Sequence, residues 1–303
     1  MKEYIGIDVG GTFIKFGIIN AEGKLIYDSK TATQRDNPEY VLNDLVKVIC
    51  KLKRKYGIYE VGISLPGIIN KRNQLLTSGT IPDLYKYPIK NIIEEKTNTT
   101  IKLTNDANAI ALAEKWVGAG RKCDNFVCLP LGTGVGGAIF IENKIISGSN
   151  GAAGEFGLIF MDQMDKKELI TSSASFYCGT IMGLCRIYNT KLNRLAINEW
   201  ETDVAKIILA AKSNQKEAID SLNEFYQNLA RLLMNVALSI DPEKILIGGG
   251  VSENTQIIEG IKNSFLHLSS SYSQTEKLEL PEIIPCQLGN KAGMIGAIAS
   301  FVN

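Results

Sequence analysis

The sequence has very little histidine and no pair of cysteines at metal-binding spacing. Its one histidine, His267, lies in an apolar run typical of a helix face, so chemistry that depends on histidine is not expected. The six cysteines include no Cys-x-x-Cys pair, whereas a structural zinc site needs four closely spaced Cys or His ligands. We therefore expect reduced, mostly buried thiols and no structural zinc.

The sequence also lacks an excess of charge of one sign and any long apolar run. With 33 basic and 32 acidic residues its formal net charge is +1, which argues against nucleic acid or an anionic membrane surface as a partner. No apolar run reaches the roughly 18 residues of a membrane span. The chain enters a predicted strand directly after Glu3, without the apolar segment of a signal peptide. These features predict a cytoplasmic protein without a nucleic-acid or membrane partner.

Two glycine-rich turns stand in similar surroundings in the two halves of the chain. Gly10-Gly11-Thr12 follows the apolar run 4–9, Gly132-Thr133-Gly134 follows the apolar run 126–131, and a further apolar run comes after each turn. Successive backbone N–H groups in a glycine turn can bind an anion, usually phosphate. One such turn is weak evidence, but the repetition predicts two related lobes that hold one polyphosphate.

The spacing of apolar residues predicts alternating strands and helices, which indicates an α/β fold. A meander of strands at 4–9, 13–19 and 24–32 is followed by a helix that Asn37 caps and that ends before Gly57. Further strands are expected at 58–65, 101–104, 244–247 and 282–287, and further helices at 107–117, 213–239, 255–266 (capped by Ser252) and 291–302, with 166–240 mainly helical. We expect a smaller domain of residues 1–117 plus 290–303 and a larger one of residues 118–289.

Asp8 ends the first strand beside the first turn and is a candidate metal ligand. Mg²⁺ binds one or two carboxylates together with nucleotide phosphates, so Asp8 would hold Mg²⁺ while Gly10, Gly11 and Thr12 contact phosphate. The alternative is an ordinary hairpin turn with a polar cap. The second turn, Gly132 to Gly134, favours the phosphate site.

Gly248-Gly249-Gly250 lies between a predicted strand and a predicted helix. Glycines at such a junction can let a flat ligand lie against bare backbone, which suggests an adenosine pocket. A tight strand-to-helix turn is the alternative, and the absence of Gly-Lys-Ser/Thr excludes a Walker P-loop.

Two acidic residues are candidates for catalysis or ligand binding. Asp106, after Asn105 at a strand-to-helix junction, is either a base that accepts a hydroxyl proton or a helix N-cap, since aspartate is favoured there. Glu155 lies among small residues that can pass close to a ligand, but it is equally explained as a solvated loop charge. Local sequence does not separate these alternatives.

In order along the chain, these motifs resemble the ROK family of sugar kinases within the actin-like ATPase superfamily. The resemblance covers nearly the whole chain and rests on an ordered set of motifs: Asp8-x-Gly-Gly-Thr12, Pro66-Gly67, Asn105-Asp106-Ala107-Asn108 with Glu114, Leu131-Gly-Thr-Gly-x-Gly-Gly137, Gly154-Glu155-Phe156-Gly157, Gly248-Gly-Gly-Val251 and Ala292-Gly293-x-x-Gly296-Ala297. It implies a two-lobed actin-like, ribonuclease H-like α/β fold with sugar and ATP in the cleft between the lobes. It also implies a homodimer.

The resemblance implies a role for each motif. Asp106 would be the general base, and the sugar hydroxyls would be bound by Gly67, Asn105, Asp106 and Glu155. Phosphates and Mg²⁺ would be held by Asp8 to Thr12 and by Gly132 to Gly134, with Gly248 to Gly250 beside the adenosine. The implied reaction transfers the γ-phosphoryl group of ATP to the 6-hydroxyl of a hexose or hexoside.

One departure from the family pattern bears on the substrate. Many members have a zinc-binding histidine three residues after the glutamate and then a cysteine-rich loop, whereas this chain has Leu158 and no such cysteines in residues 159–178. It therefore resembles the zinc-less branch, which includes β-glucoside kinases and some N-acetylmannosamine kinases. The segments Asn105 to Gly118 and Gly154 to Gly157 look closest to the β-glucoside type, and an apolar Leu158 near the anomeric end of the sugar could tolerate a substituent there. A β-glucoside or glucose is therefore favoured, with N-acetylmannosamine as the alternative.

Two other classes remain open. A non-catalytic ROK-type sugar sensor would carry a helix-turn-helix before the kinase-like core, whereas this chain starts at the first strand and retains Asp106. Another actin-like ATPase, such as an acyl-phosphate kinase or an activator ATPase, is disfavoured by Asn105-Asp106 and Gly154-Glu155.

Overall fold

The computed structural model describes residues 1–163 and 168–302. Its strands are β1 (Glu3–Val9), β2 (Phe13–Asn20), β3 (Leu25–Ala32), β4 (Glu60–Leu65), β5 (Thr100–Asn105), β6 (Phe126–Pro130), β7 (Ala138–Ile141), β8 (Lys144–Ile145), β9 (Lys244–Gly248) and β10 (Glu282–Pro285). Its α-helices are α1 (Pro38–Tyr56), α2 (Ile89–Thr97), α3 (Asp106–Val117), α4 (Ala174–Cys178), α5 (Arg186–Lys191), α6 (Val204–Lys212), α7 (Lys216–Ile240), α8 (Thr255–Ser270), α9 (Ala292–Ala297) and α10 (Ala299–Val302).

The chain folds into two compact units. The first consists of Met1–Lys122, Ala138–Gly154 and Asn290–Asn303, and the second of Cys123–Gly137 and Glu155–Gly289. The division at residues 118 and 290 that the sequence suggests stays a prediction. The predicted α/β class is confirmed. Residues 166 and 167, in the stretch predicted to be mainly helical, lie outside the described residues.

The first unit is built on a five-stranded sheet in the order β3-β2-β1-β4-β5. The antiparallel pairing of β1, β2 and β3 confirms the predicted meander, and β4 and β5 continue the sheet parallel to β1. Helix α1 packs its apolar stripe into the core that the strands form. As predicted, Asn37 caps this helix, with its side chain accepting from the backbone N–H groups of Glu39 and Tyr40.

The last helices pack closely against this sheet and α3, as the small residues near the end of the chain predict. Gly296 is the tightest point, because a Cβ there would overlap the carbonyl of Ala109 in α3. The prediction of one continuous helix at 291–302 is wrong, because the segment is divided at Ile298 into α9 and α10.

Strand β5 is an edge strand whose outward N–H groups are capped by side chains. The N–H of Ile101 donates to Oε1 of Glu94 at 2.9 Å, and that of Leu103 donates to Oδ1 of Asn73 at 3.3 Å. Unpaired edge N–H groups invite another strand, so these two contacts protect the edge and keep the face of β5 beside α3 well defined.

The second unit contains three parallel strands, with β9 between β6 and β10. Helix α7 carries a long buried stripe and packs against α8. Two predictions are wrong here. The helix expected over 213–239 begins at Lys216, because Asn214 takes a left-handed conformation with φ of 63° after α6 ends. Asn254, and not Ser252, caps α8 by accepting from the N–H of Ile257.

No helix in the described residues is long and apolar enough to cross a bilayer.

Glu114, near the end of α3, is fully buried and fixes the loop that follows the helix. Its Oε2 accepts from the N–H of Ala119 at 2.7 Å, and its backbone carbonyl accepts from the N–H groups of Gly118 and Gly120. The carboxylate therefore satisfies a backbone N–H of the loop that follows α3.

Replacing Glu114 with Ala is expected to lower the free energy of unfolding by about 2–4 kcal/mol, because it empties a buried site and leaves the Ala119 N–H without its acceptor. Glu114→Gln retains an acceptor oxygen and is expected to lose less. Urea denaturation of the two variants measures the difference. Equal losses would show that this hydrogen bond does not stabilise the loop.

Candidate functional site

In the first unit, Asp106, Asn105 and Gly67 form one hydrogen-bonded cluster where β5 meets α3. The Nδ2 of Asn105 donates to the Gly67 carbonyl at 2.9 Å and to Oδ1 of Asp106 at 3.1 Å. The same Oδ1 accepts from the N–H of Ala107 at 2.9 Å. These contacts fix one carboxylate oxygen of Asp106 at the first position of the helix, where the helix dipole favours negative charge.

The helix cap at this junction is Asn105. Its Oδ1 accepts from the N–H of Asn108 at 2.9 Å, and α3 begins with Asp106. The reading of Asp106 as the N-cap is therefore wrong. Because the neighbouring asparagine caps α3, the carboxylate of Asp106 is not required for that task.

The first glycine turn leaves two successive amide groups available. Gly10 N–H donates to the Phe13 carbonyl at 3.0 Å, whereas the N–H groups of Gly11 and Thr12 have no partner among the described residues. Neighbouring unpaired N–H groups at a glycine turn are the arrangement that binds an anion.

Asp8 lies beside this turn in a small polar cluster within the first unit. Its Oδ1 accepts from the Ser64 hydroxyl at 3.0 Å, and its Oδ2 lies 3.7 Å from Nζ of Lys15, the residue opposite it on β2. Lys15 also donates to Oδ1 of Asn290 at 3.1 Å. Burial raises the pKa of Asp8, and the nearby ammonium of Lys15 and hydroxyl of Ser64 oppose that rise only in part.

Gly293 of α9 explains how the Asp8 carboxylate fits beneath the final helices. A Cβ at position 293 would lie about 2.5 Å from the carboxyl carbon of Asp8, which is far inside van der Waals contact. The glycine of the closing motif is thus tied to Asp8 through space, 285 positions earlier in the chain. The sequence indicated close packing at Gly293 but not that its partner is Asp8.

The second glycine turn repeats the pattern of the first in the second unit. Gly132 N–H donates to the Gly134 carbonyl at 3.0 Å, and Gly136 N–H to the Pro130 carbonyl at 3.0 Å. The N–H groups of Thr133 and Gly134 have no partner among the described residues. Each predicted turn therefore presents two consecutive N–H groups that could donate hydrogen bonds to a phosphate.

A cavity of about 560 Å³ in the second unit joins the second turn to the third glycine segment. Gly132 and Thr133 line one side, and Gly250, Val251 and Glu253 line another. The size is within the usual range of about 300–1,000 Å³ for small-molecule sites. The structure thus brings two of the predicted nucleotide segments together around one cavity.

The three glycines of 248–250 serve different purposes. A Cβ at Gly249, which has φ of 83°, would overlap the Leu131 carbonyl, and one at Gly248 would lie 3.2 Å from Sγ of Cys286. Around Gly250 a Cβ would meet nothing within 4 Å. Gly250 is therefore the member that borders open space, while the other two let the protein backbone pack.

Glu155, in the second unit, precedes a short 3₁₀ turn, Phe156–Leu158. Burial raises the pKa of Glu155, and its carboxylate has no hydrogen bond or ion pair with the described residues. Leu158, three residues after Glu155, is exposed. A partly buried carboxylate without a protein partner favours the ligand-binding reading over a solvated loop charge.

The acidic residues near the glycine turns were also the candidates for metal binding. In residues 1–163 and 168–302, no three His, Cys, Asp or Glu side chains come close enough to hold an ion between them. Asp8, beside two unpaired amides, has the one-carboxylate arrangement that suits Mg²⁺ when phosphates and water complete the shell.

Lys15 and Asn290 are the site residues that sequence reasoning missed. Lys15 could have been found, because the predicted hairpin places it directly across from Asp8. Asn290 could not, since only tertiary folding brings it to the Lys15 ammonium.

The chain is similar to known proteins over nearly its whole length. A model of the ROK family matches residues 4–303. A beta-glucoside kinase of Listeria monocytogenes is 28% identical over 298 residues, which cover 97% of this chain and 96% of that protein. A ROK family glucokinase from Streptomyces griseus, solved with glucose and AMPPNP, has a TM-score of 0.84 and 27% identity, covering 99% of each chain.

A ROK family protein from Streptococcus pneumoniae, solved in complex with sucrose, has a TM-score of 0.85 and 25% identity, covering 99% of this chain and 98% of that one. These similarities extend over the full length of each protein and confirm the predicted actin-like fold class. The chain belongs to the ROK family.

Proposed function

We propose that this protein transfers the γ-phosphoryl group of ATP to the 6-hydroxyl of a hexose or hexoside, with β-glucosides or glucose favoured. The observation that carries the proposal is the fixed carboxylate of Asp106, held by Asn105 at the start of α3. Several proteins that match nearly the whole chain are sugar kinases. A cytoplasmic location and a homodimer stay predictions.

Asp106 is the proposed general base. Its Oδ1 is anchored by two donors, so the carboxylate has a fixed direction from which to accept the proton of the sugar 6-hydroxyl as the phosphoryl group is transferred. Asn105 and the Gly67 segment would orient the neighbouring hydroxyls, and Glu155 would accept hydrogen bonds from others. This type of catalysis depends on positioning and electrostatics, without a covalent intermediate.

The two glycine turns are the proposed phosphate-binding segments. Gly11 and Thr12 in one unit and Thr133 and Gly134 in the other each offer consecutive N–H groups, which would bind phosphate oxygens. The cavity beside Gly250 would hold the adenosine. Asp8 would hold Mg²⁺, which neutralises charge on the phosphates during transfer.

The proposed function is tested by ATP consumption, measured with a coupled ADP assay, against glucose, cellobiose, gentiobiose, N-acetylmannosamine, N-acetylglucosamine, mannose, fructose, acetate and glycerol. Turnover with glucose or the glucosides is expected. Activity on N-acetylmannosamine alone would overturn the glucoside preference, and activity on acetate or glycerol would indicate a different actin-like enzyme. Sugar binding without turnover would identify a non-catalytic sensor.

A further inference from the structure

The second glycine turn and the segment around Glu155 both lie in the second unit and pack against the same short helix, α4. Ser175 of α4 lies between them. Its Oγ accepts from the N–H of Val135, just after the turn, at 3.1 Å. A Cβ at Gly134 would lie 2.7 Å from this Oγ, and one at Gly157, two residues after Glu155, would overlap it. One hydroxyl thus contacts both the turn proposed to bind phosphate and the segment whose carboxylate is proposed to bind sugar.

The two segments also touch each other directly. A Cβ at Gly157 would overlap the carbonyl of Val135 as well as the Ser175 hydroxyl, so it is glycine that lets the two backbones approach this closely. Protein interiors are close-packed and transmit strain. A shift of the second glycine turn is therefore expected to move the backbone beside Glu155.

The π-helical turn that follows α4, Thr180–Cys185, fixes the direction of the N–H groups that are proposed to bind phosphate. Three of its N–H groups donate to carbonyls of the glycine turn, two to Gly132 at 2.8 and 3.3 Å and one to Thr133 at 3.1 Å. In a planar trans peptide the C=O and the following N–H point in opposite directions. These bonds therefore direct the N–H groups of Thr133 and Gly134 away from the π-helical turn, a type of structure that is frequent at functional sites.

Helix α4 is held against the glycine turn at both of its ends. Near its start Ser175 accepts from the Val135 N–H, and after its last residue a Cβ at Gly179 would lie 2.6 Å from the Thr133 carbonyl. The helix therefore moves with the turn. Because Ser175 reaches both segments with one side chain, removing its hydroxyl loosens the link between them and leaves the glycine contacts in place.

We propose that Ser175 is a positioning residue, which couples the binding of nucleotide phosphate at the second glycine turn to the binding of sugar at Glu155. This inference rests on the proposed kinase function and adds to it a residue that makes the two ligands bind cooperatively. Phosphate at the turn orders Val135 and Ser175, and through them the backbone that carries Glu155. By thermodynamic linkage, the sugar strengthens nucleotide binding by the same factor.

The test is calorimetry of glucose, cellobiose and N-acetylmannosamine, each titrated with and without AMPPNP and Mg²⁺. In the wild type, the nucleotide analogue is expected to tighten sugar binding about 5–150-fold, the usual range of coupling between two sites. Ser175→Ala is expected to lower this ratio about three- to tenfold, the scale of one hydrogen bond, and to change the affinity for sugar alone less than about threefold.

Ser173→Ala is the matched control. The Ser173 hydroxyl caps the same helix by accepting from the Phe176 N–H, and it donates to the Ile170 carbonyl. Its removal weakens α4 at a point that does not join the two segments, so this variant should keep the wild-type ratio. Thermal unfolding without ligands compares the stability of the two variants.

The outcomes separate this inference from the proposed function. In a protein that phosphorylates any of these sugars, a ratio that stays within twofold of the wild type in Ser175→Ala, or that falls equally in Ser173→Ala, would overturn the coupling while the kinase stands. A wild type whose two ligands bind independently would do the same. If no sugar is phosphorylated, the kinase proposal fails, and calorimetry still decides the coupling: a ratio that Ser175→Ala alone lowers supports it, and binding that is absent or uncoupled rejects it.

Discussion

Replacing Asp106 with Asn is expected to lower kcat by about 10²–10⁴-fold, the usual contribution of a general base, while the protein remains folded. Asparagine has nearly the same shape and retains an oxygen that can accept from Asn105 and Ala107, so the contacts of Oδ1 persist. The variant loses the negative charge and with it the capacity to take the hydroxyl proton. A coupled ADP assay at saturating ATP and sugar measures the loss.

The stability of the same variant distinguishes catalysis from helix capping. Because Asn105 caps α3, Asp106→Asn should change the free energy of unfolding by no more than about 1 kcal/mol, the scale of a charge at a helix end. Asn105→Ala removes the cap itself and should cost about 1 kcal/mol or more. Near-full turnover in Asp106→Asn would show that another group accepts the proton. Unfolding of that variant would show that its carboxylate has a structural role.

The glycine turns and the start of α1 could be predicted because their signals are local. Gly10 to Thr12 and Gly132 to Gly134 follow apolar strands, and Asn37 is followed by proline at the first helical position. These features depend on backbone geometry within a few residues, which composition and spacing report directly.

Other features escaped prediction because they depend on contacts between distant segments or on competition between neighbours. Asn105 and Asp106 are both good caps, and only the folded chain decides that Asn105 takes the position. The contact of Gly293 with Asp8 joins the two ends of the chain. Oδ1 of Asn108 is unpaired among the described residues because of the groups that surround it in the folded protein. The spacing of Asn105 and Asn108 in the sequence does not indicate whether that atom is buried.

The spacing of apolar residues also predicted the wrong first residue for one helix. Apolar residues continue in a helical pattern through 213–239, yet Asn214 takes a left-handed conformation and the helix begins at Lys216. Asparagine adopts this conformation readily, so a break of a few residues leaves the apolar period on each side unchanged. Periodicity therefore detects the helical stretch but not its first turn.

Replacing Asp8 with Asn is expected to lower kcat about 10²–10³-fold and, at neutral pH, to raise the stability of the protein without ligands. The loss of activity follows if Asp8 holds Mg²⁺, because a positioned group acting on transition-state charge contributes several kcal/mol. The gain in stability follows from burial, which raises the pKa of Asp8 despite the ammonium of Lys15 and the hydroxyl of Ser64. A neutral amide of the same shape avoids the cost of burying the charge.

The pH dependence of this gain has a definite sign. Because the pKa of Asp8 is raised in the folded state, the Asp8 carboxyl keeps its proton to higher pH in the folded protein than in the unfolded chain. The contribution of Asp8 to stability therefore falls as pH rises from near 3.8, the ordinary pKa of aspartate, through the raised pKa. The advantage of Asp8→Asn should be absent below pH 3.8, grow through that window and persist at pH 7.

Thermal unfolding of the wild type and of Asp8→Asn across this pH range measures the effect. Asp220→Asn, which makes the same change at an exposed position, is the matched control. Adding Mg²⁺ and ATP should raise the Tm of the wild type more than that of Asp8→Asn, since at a given ligand concentration a ligand that binds more tightly stabilises the folded protein more. A variant that is less stable at pH 7, or whose stability follows the wild-type pH curve, would mean that the ion pair with Lys15 outweighs burial. In that case Asp8 would stabilise the ligand-free protein through Lys15 and Ser64. Equal Tm shifts of the two proteins with Mg²⁺ and ATP would reject the magnesium role.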